Sequence, residues 1–256
     1  MDNWGLKKEY LHSTRAHLWN DDYFDFLVKC VWKIDKPVKI LDFGCGYGYL
    51  AQMLIPLVPE GSSYWGIDIS EDLIEEANDT FKDSKEHISF QVADLNEYEP
   101  DSEYDLVICQ AVLRHIPNPD KILKKMVEST KNGGLVVCIE PSRPMENAGI
   151  YVESEDFDPF ENDIFLKQKW IQEMQAGGRD YQIGMEIPVY MKQLGLKDVG
   201  VRINDYVDFV TTENVSESTT EIARFLSDHD INLKYEKSKG FVAARCHVIS
   251  FGRKKI

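Results

Sequence analysis

The chain has 256 residues, 43% hydrophobic and 29% charged, a composition that supports a sizeable core and is neither that of a disordered tail nor of a coiled coil. Its 29 Lys and Arg against 44 Asp and Glu leave a net charge of −15. With no local basic stripe, such a chain is repelled by nucleic acid and by anionic membrane surfaces.

Residues 1–36 hold a helix in which Phe24, Leu27, Val31 and Ile34 share a face, after an aromatic-rich lead. Residues 38–43 read as a strand that ends in glycines, and 49–57 as the helix that follows. Residues 63–68 form a second strand; Ser70 is placed to cap the next helix, which has Glu71 and Asp72 in its first turn and Leu73, Ala77 and Phe81 on one apolar face. Residues 88–93 and 104–109 are the third and fourth strands. Asn118-Pro119 opens a helix with proline at its first position. Ile122, Leu123, Met126, Val127 and Thr130 form its buried face, Asn132-Gly133-Gly134 ends it, and 135–140 is a fifth strand. Strands alternating with helices predict one doubly wound α/β domain whose parallel sheet is covered on both faces. Two long excursions interrupt the alternation: 142–182, with Glu153, Glu155, Asp156, Asp158, Glu161 and Asp163, and 205–240, before a last apolar run at 241–251. Segments of that length act as lids or cover sheet edges.

The cysteines (Cys30, Cys45, Cys109, Cys138, Cys246) are scattered and form no C-x-x-C pair, which suggests neither a disulfide framework nor a zinc site and fits a reducing cytoplasm. No basic stretch precedes an apolar one at the first residues, and no apolar run approaches the ~20 residues that span a bilayer, so neither a signal peptide nor a membrane partner is expected.

The strongest signal is Leu41-Asp42-Phe43-Gly44-Cys45-Gly46-Tyr47-Gly48, a strand that ends in a Gly-x-Gly-x-Gly turn opening a helix. Glycines there let backbone approach a ligand without interference from Cβ. The second strand ends in Asp68, suited to ribose hydroxyls, and the third leads to Asp94-Leu95, suited to an adenine amino group and ring. A dinucleotide pyrophosphate asks for G-x-G-x-x-G, and Tyr49 stands where its third glycine would be. A cofactor with ribose and adenine but without phosphate fits better.

With Gly66-Ile67-Asp68, Ala93-Asp94-Leu95, Tyr104-Asp105-Leu106-Val107, Leu113-Arg114-His115-Ile116, Lys131-Asn132-Gly133-Gly134-Leu135 and the late Met191–Leu196, the chain resembles the class I S-adenosylmethionine-dependent methyltransferases. The likeness is to the branch with the ubiquinone and menaquinone methyltransferases and many small-molecule enzymes. It implies a Rossmann-like doubly wound sheet of about seven strands, the last antiparallel, in a single domain. That domain comprises an N-terminal helical cap (1–36), a cofactor core (37–141), a lid insertion (142–182) and a C-terminal part (183–256) carrying the insertion 205–240. It also implies S-adenosyl-L-methionine as cofactor and a small-molecule methyl acceptor, with no metal. Gly44, Gly46 and Gly48 would line the methionine part and Asp42 its amino group. Asp68 would hold the ribose, Asp94 and Leu95 the adenine, and Gln110 the methionine end, with Tyr10 and Arg15 as candidates for the cofactor carboxylate.

Methyl transfer asks mainly for proximity and orientation, plus a base where the nucleophile must lose a proton. His115, just past the fourth strand, is the candidate base; Arg114 is placed for an anionic substrate group or a surface acid, and Glu140 for a substrate ammonium. The aromatics of the first excursion (Tyr151, Phe157, Phe160, Phe165, Trp170, Tyr181) are suited to a pocket wall that closes, with residues 1–36, over the acceptor. Two other readings share the fold. A nicotinamide oxidoreductase is opposed by the missing third glycine, and a non-catalytic cofactor-binding subunit by the retention of Gly44, Gly46, Asp68 and Asp94.

Overall fold

Central strands with apolar side chains on both faces must be sandwiched between helices. The computed structural model, which describes residues 8, 11–12, 18–84, 87–100, 103–177, 180–211, 231 and 239–255, meets that demand with two sheets. Its strands are β1 (Lys39–Phe43), β2 (Ser63–Asp68), β3 (His87–Val92), β4 (Tyr104–Gln110), β5 (Thr130–Pro141), β6 (Ile150–Val152), β7 (Lys197–Ile203), β8 (Val207–Thr211), β9 (Gly240–Ala244) and β10 (His247–Arg253). The larger sheet has seven strands in the order β3-β2-β1-β4-β5-β10-β7. β1 pairs in parallel with β2 and β4, β2 with β3, and β4 with β5. β10 runs antiparallel to both β5 and β7, so the sheet is the expected doubly wound one with an antiparallel last strand.

The helices are α1 (Asp21–Phe26), α2 (Tyr49–Leu54), α3 (Glu71–Phe81), α4 (Pro119–Glu128), α5 (Arg143–Ala148), α6 (Pro159–Gln175) and α7 (Ile183–Gln193). Alternate side chains of one strand go to opposite faces. Ile40, Leu106, Ile108, Val137 and Ile139 therefore join Phe24, Leu27, Leu50 and Leu54 in one core. Leu41, Val107, Cys109, Val136 and Cys138 join Ile122, Met126, Ile187 and Met191 in the other. No helix among the described residues is long and apolar enough to cross a membrane.

Local readings of the sequence are corrected in four places. First, α1 continues as a π-helical turn, Leu27–Val31, in which Trp32 N–H reaches the Leu27 carbonyl at 2.8 Å. The extra residue per turn rotates the stripe, so Val28 and Trp32 are buried while Val31 and Ile34 pack at the margin. Second, Ser70 makes no side-chain cap of α3; Asp68 Oδ1 accepts the Ser70 N–H at 2.9 Å instead. Third, α4 stops at Glu128, and Thr130 to Gly134 belong to β5, whose register with β4 shifts between Tyr104↔Thr130 and Leu106↔Leu135. Fourth, the last apolar run divides between two sheets. β9 pairs with β6 and β8 in the smaller antiparallel sheet, and β10 closes the larger one. Strands from both excursions thus meet in one sheet, around a core of Ile150, Val152, Ile231, Phe241 and Ala243.

Gly66, in the middle of β2, is a packing requirement: a Cβ there would lie 2.7 Å from the Phe90 ring and 2.8 Å from Cys45 Sγ. Gly66→Ala should cost about 1–3 kcal/mol by overpacking and lower Tm by several degrees. A melting curve indistinguishable from that of the native chain would contradict this tight packing.

Candidate functional site

The carboxyl ends of the parallel strands, where open α/β sheets bind ligands, face a cavity of about 1620 Å³. Its floor begins at the glycine turn. Gly44, Gly46 and Gly48 have φ of 77°, 54° and 83°, the left-handed region that only glycine enters without strain. The turn folds back onto β2: Gly44 and Cys45 N–H reach the Ile67 carbonyl at 2.7 and 2.9 Å, and Gly46 N–H reaches Asp68 Oδ2 at 2.9 Å. Gly44 and Gly46 line the cavity. Gly48 does not; a Cβ there would meet Phe90 at 3.0 Å and Phe81 at 3.1 Å, so its smallness serves the packing of α2 over the sheet.

Asp42, Asp68, Asp94, Leu95, Gln110 and His115 also line the cavity, whereas Tyr10 and Arg15 lie outside the described residues. The Asp42 carboxylate, at the end of β1, is buried and accepts the Tyr64 hydroxyl. Burial first and the Asp42 charge second push that phenol well above its ordinary range, so it stays a donor. Asp68 accepts from Gly46 and Ser70; burial raises its carboxyl above the usual range, and these amides pull it part of the way back. Asp94 Oδ1 accepts the Asn96 N–H at 2.8 Å, which shapes the loop that presents Leu95. Gln110, at the end of β4, is 5% exposed, and both atoms of its amide make no hydrogen bond among the described residues. Tyr49 lines the cavity as well, at the place where a dinucleotide fold would need glycine.

Glu140 is not at the mouth, as its position after β5 suggests, but fully buried. Its Oε1 accepts both the Val112 and the Leu113 N–H at 2.8 Å. A substrate ammonium therefore has no access to it. Sequence reasoning also missed the loop those amides belong to. Ala111 has φ 55°, a left-handed turn that no local pattern announces. It carries Val112 onto Gly44, where a Cβ would lie 2.5 Å from a Val112 methyl. Arg114, on the same loop, is buried rather than a surface partner, with its guanidinium 5.7 Å from the Tyr181 ring centre.

The opposite wall comes from the first excursion. Trp170 of α6 stacks on Tyr181 with centroids 5.5 Å apart, and both line the cavity. Tyr151, Phe160 and Phe165 point outward, 53%, 80% and 55% exposed, and Phe157 packs on the small sheet. Helical geometry decides this: on α6, Leu166 and Trp170 lie one turn apart on the buried face and leave Phe160 and Phe165 to solvent. None of the six acids between 153 and 163 lines the cavity; Asp163 instead accepts from Asn147 and Lys167. Among the charges that do reach it at this end, Arg143 pairs with Glu146 at 2.6 Å, Arg245 with Asp208 and Glu146, and Lys169 with Glu173 at 3.9 Å, while Asp180 accepts the Gln182 N–H at 2.8 Å. On the N-terminal side Leu11 and Leu18 line the rim, and the His12 ring lies 4.2 Å from Tyr47.

Residues 34–186 match a protein family described as a methyltransferase domain. Ubiquinone biosynthesis O-methyltransferase of Coxiella burnetii (strain Dugway 5J108-111) is 31% identical over 100 residues, 39% of this chain and 42% of that protein. Malonyl-(acyl-carrier protein) O-methyltransferase of Acetivibrio thermocellus is 36% identical over 99 residues, 39% of this chain and 34% of that protein. The chain thus matches less than half the length of these curated relatives. Among solved structures, phosphoethanolamine N-methyltransferase 2 of Haemonchus contortus in complex with S-adenosyl-L-methionine superposes with a TM-score of 0.56 at 17% identity. The superposition covers 92% of this chain and 53% of the other, a likeness of fold.

The glycine turn yields a graded test. Gly44→Ala adds left-handed strain and a clash with Val112, and should cost about 2–5 kcal/mol. Gly46→Ala meets nothing closer than 3.9 Å and should cost only the strain, about 1–2 kcal/mol. Equal losses in chemical denaturation would refute the packing of Val112 on Gly44.

Proposed function

The chain belongs to the methyltransferase-domain family, and on that premise we propose that it transfers the methyl group of S-adenosyl-L-methionine to a small-molecule acceptor. One observation carries the reading: Asp42, Asp68, Asp94 and Gln110, from four successive parallel strands or the loops just after them, converge on one cavity. The residues present fit the cofactor. A Cβ at Gly46 would meet nothing closer than Leu73 Cδ1 at 3.9 Å, and the residue lines the cavity with bare backbone. The buried amide of Gln110 offers one donor group and one acceptor that the described residues leave unbonded. Tyr49 blocks the approach that a pyrophosphate needs.

Gly44 and Gly46 then lie against the methionine part, Asp42 and Gln110 meet its polar end, and Tyr10 and Arg15 are the candidates for its carboxylate. Asp68 accepts from the ribose hydroxyls, since each of its oxygens keeps a lone pair beyond the amide bond it already accepts. Asp94 and Leu95 take the adenine. When bound, the cofactor supplies an electrophilic methyl group on a sulfonium. The chain orients the acceptor, excludes water with α6 and the N-terminal segment, and receives at His115 the proton that an O–H or N–H acceptor loses.

The cavity, about 1620 Å³, exceeds the ~300–1,000 Å³ of a pocket for one ligand and leaves room for an organic acceptor beside the cofactor. Trp170 and Tyr181 supply its apolar wall. The two curated relatives are named for different acceptors, so the reading extends to the class of acceptor and not to one molecule. All five cysteines are free, which supports a cytoplasmic setting, and the net charge of −15 argues against a nucleic-acid partner.

Ligand-induced stabilisation tests the cofactor. S-adenosylhomocysteine should raise Tm by mass action and NAD should not; the reverse pattern overturns the reading. Asp68→Ala should weaken S-adenosylmethionine binding about ten- to several-hundredfold, checked by calorimetry on a variant with a native circular dichroism spectrum. Trp170→Ala should leave that affinity within about twofold and reduce transfer more than tenfold, measured as S-adenosylhomocysteine formed from a mixture of cell metabolites.

A further inference from the structure

Register places Glu140 beside the turn that follows β4. Gln110 pairs with Ile139, and Ala111 N–H continues the ladder to the Ile139 carbonyl at 2.8 Å. The left-handed backbone at Ala111 then turns the next two amides inward, and both meet Glu140 Oε1 at 2.8 Å. Oε2 is sealed from solvent and makes no hydrogen bond among the described residues. The loop so held puts Val112 against Gly44 and carries Arg114 and His115 into the cavity.

We infer that Glu140 is a positioning residue, a buried clamp that sets the loop 110–115 against the glycine turn and grips it more tightly when its carboxylate is ionised. The clamp exists whatever the cavity binds; its effect on an adenosyl ligand rests on the proposed function.

The charge dependence follows from chemistry. An amide donating to a carboxylate bonds more strongly than one donating to a neutral carboxylic acid. By linkage, amides that favour the charged form are themselves held better by it. Burial raises the Glu140 carboxyl to about 7, while the Leu113 and Val112 amides, the Arg114 guanidinium and, least, the Arg114 amide pull against that rise. The surrounding titratable groups are few. Arg114 is on the loop itself, and β4 contributes Cys109, whose thiol burial and Cys138 push well up and keep neutral. β10 sets Val248 opposite Glu140 and His247 one position along, and α7 brings Gly184 against the Glu140 carbonyl. The folded carboxyl, about 7, lies above its ordinary 4.5. Its contribution to global stability is therefore full below the ordinary value and lost as pH rises through the folded one. In local openings that lift the loop while Glu140 stays buried, the trend is opposite: the ionised carboxylate holds the amides more strongly over the same rise.

Native-state amide exchange on the full chain, without ligand, tests this. After correction for intrinsic rates, protection of Val112 and Leu113 should rise about three- to thirtyfold between about pH 6 and about pH 8, relative to β4 core amides such as Val107. Glu140→Gln keeps an acceptor oxygen but does not titrate, so protection at these two amides should be independent of pH. Glu140→Ala should lower it about ten- to hundredfold. S-adenosylhomocysteine affinity, by calorimetry, should follow the same pH trend in the native chain and lose it in Glu140→Gln. Protection that is equal at both pH values in the native chain overturns the clamp, and this holds even where a variant fails to fold. Protection that follows the predicted pattern while S-adenosylhomocysteine binds at neither pH upholds the clamp and overturns the cofactor reading instead.

Discussion

The cavity depends on backbone amides that a parallel sheet leaves unpaired where its strands end. Each strand must turn sharply there, and a turn held in water has no fixed shape. In this chain two carboxylates, one half-buried and one fully buried, supply the missing acceptors. Asp68 takes Gly46 and Ser70, and Glu140 takes Val112 and Leu113. One shapes the glycine turn after β1 and the other the loop after β4, and Val112 on Gly44 joins the two. Both carboxyls are raised by burial above their ordinary range, which is the free-energy cost of placing acceptors where solvent is scarce. That cost is borne for preorganisation: groups that converge on a ligand are already in place before it arrives.

The second constraint concerns the excursions. Their described strands share a sheet, with β6 from one and β8 from the other pairing on either side of β9. The ion pairs follow the same route. Glu146 of α5 meets Arg245 just past β9, and Arg245 meets Asp208 of β8. Such pairs, partly buried, contribute more to register than to net stability. Their consequence for function is positional, since α6 leaves this small sheet and lies along the cavity with Trp170 and Tyr181 turned inward. The core of the larger sheet builds the end where the strand-terminal acids gather, and the first excursion, tied to the second through the small sheet, builds the wall that faces it.

Much of this was legible in the sequence. The second strand was read at 63–68 and lies at Ser63–Asp68, because a short apolar run bounded by polar turns leaves little choice of bounds. The glycine turn, Asp68, Asp94 and Gln110 were read at strand ends, and the parallel sheet brings Gly44, Gly46 and those three residues to one cavity because its carboxyl ends lie side by side. The misread features share one cause: their partners are distant in sequence. Glu140 meets amides 27 and 28 residues away, and nothing within a local window separates a buried acceptor from a ligand at the cavity mouth. Gly48 was grouped with Gly44 and Gly46 by spacing, yet the rings of Phe81 and Phe90 assign it to the core. The aromatics of α6 were grouped by composition, and the face each occupies follows only once Leu166 and Trp170 are anchored.

Periodicity and turn chemistry by themselves determined the strand–helix alternation, the covered parallel sheet and the carboxyl-end glycine turn, since these follow from backbone geometry and side-chain solubility within a dozen residues. Tertiary structure alone decided which acids are spent on the chain's own amides, which aromatics face the cavity, and that the two excursions share a sheet. Those outcomes depend on which groups lose water together, and that is fixed only when segments far apart in the chain pack against one another.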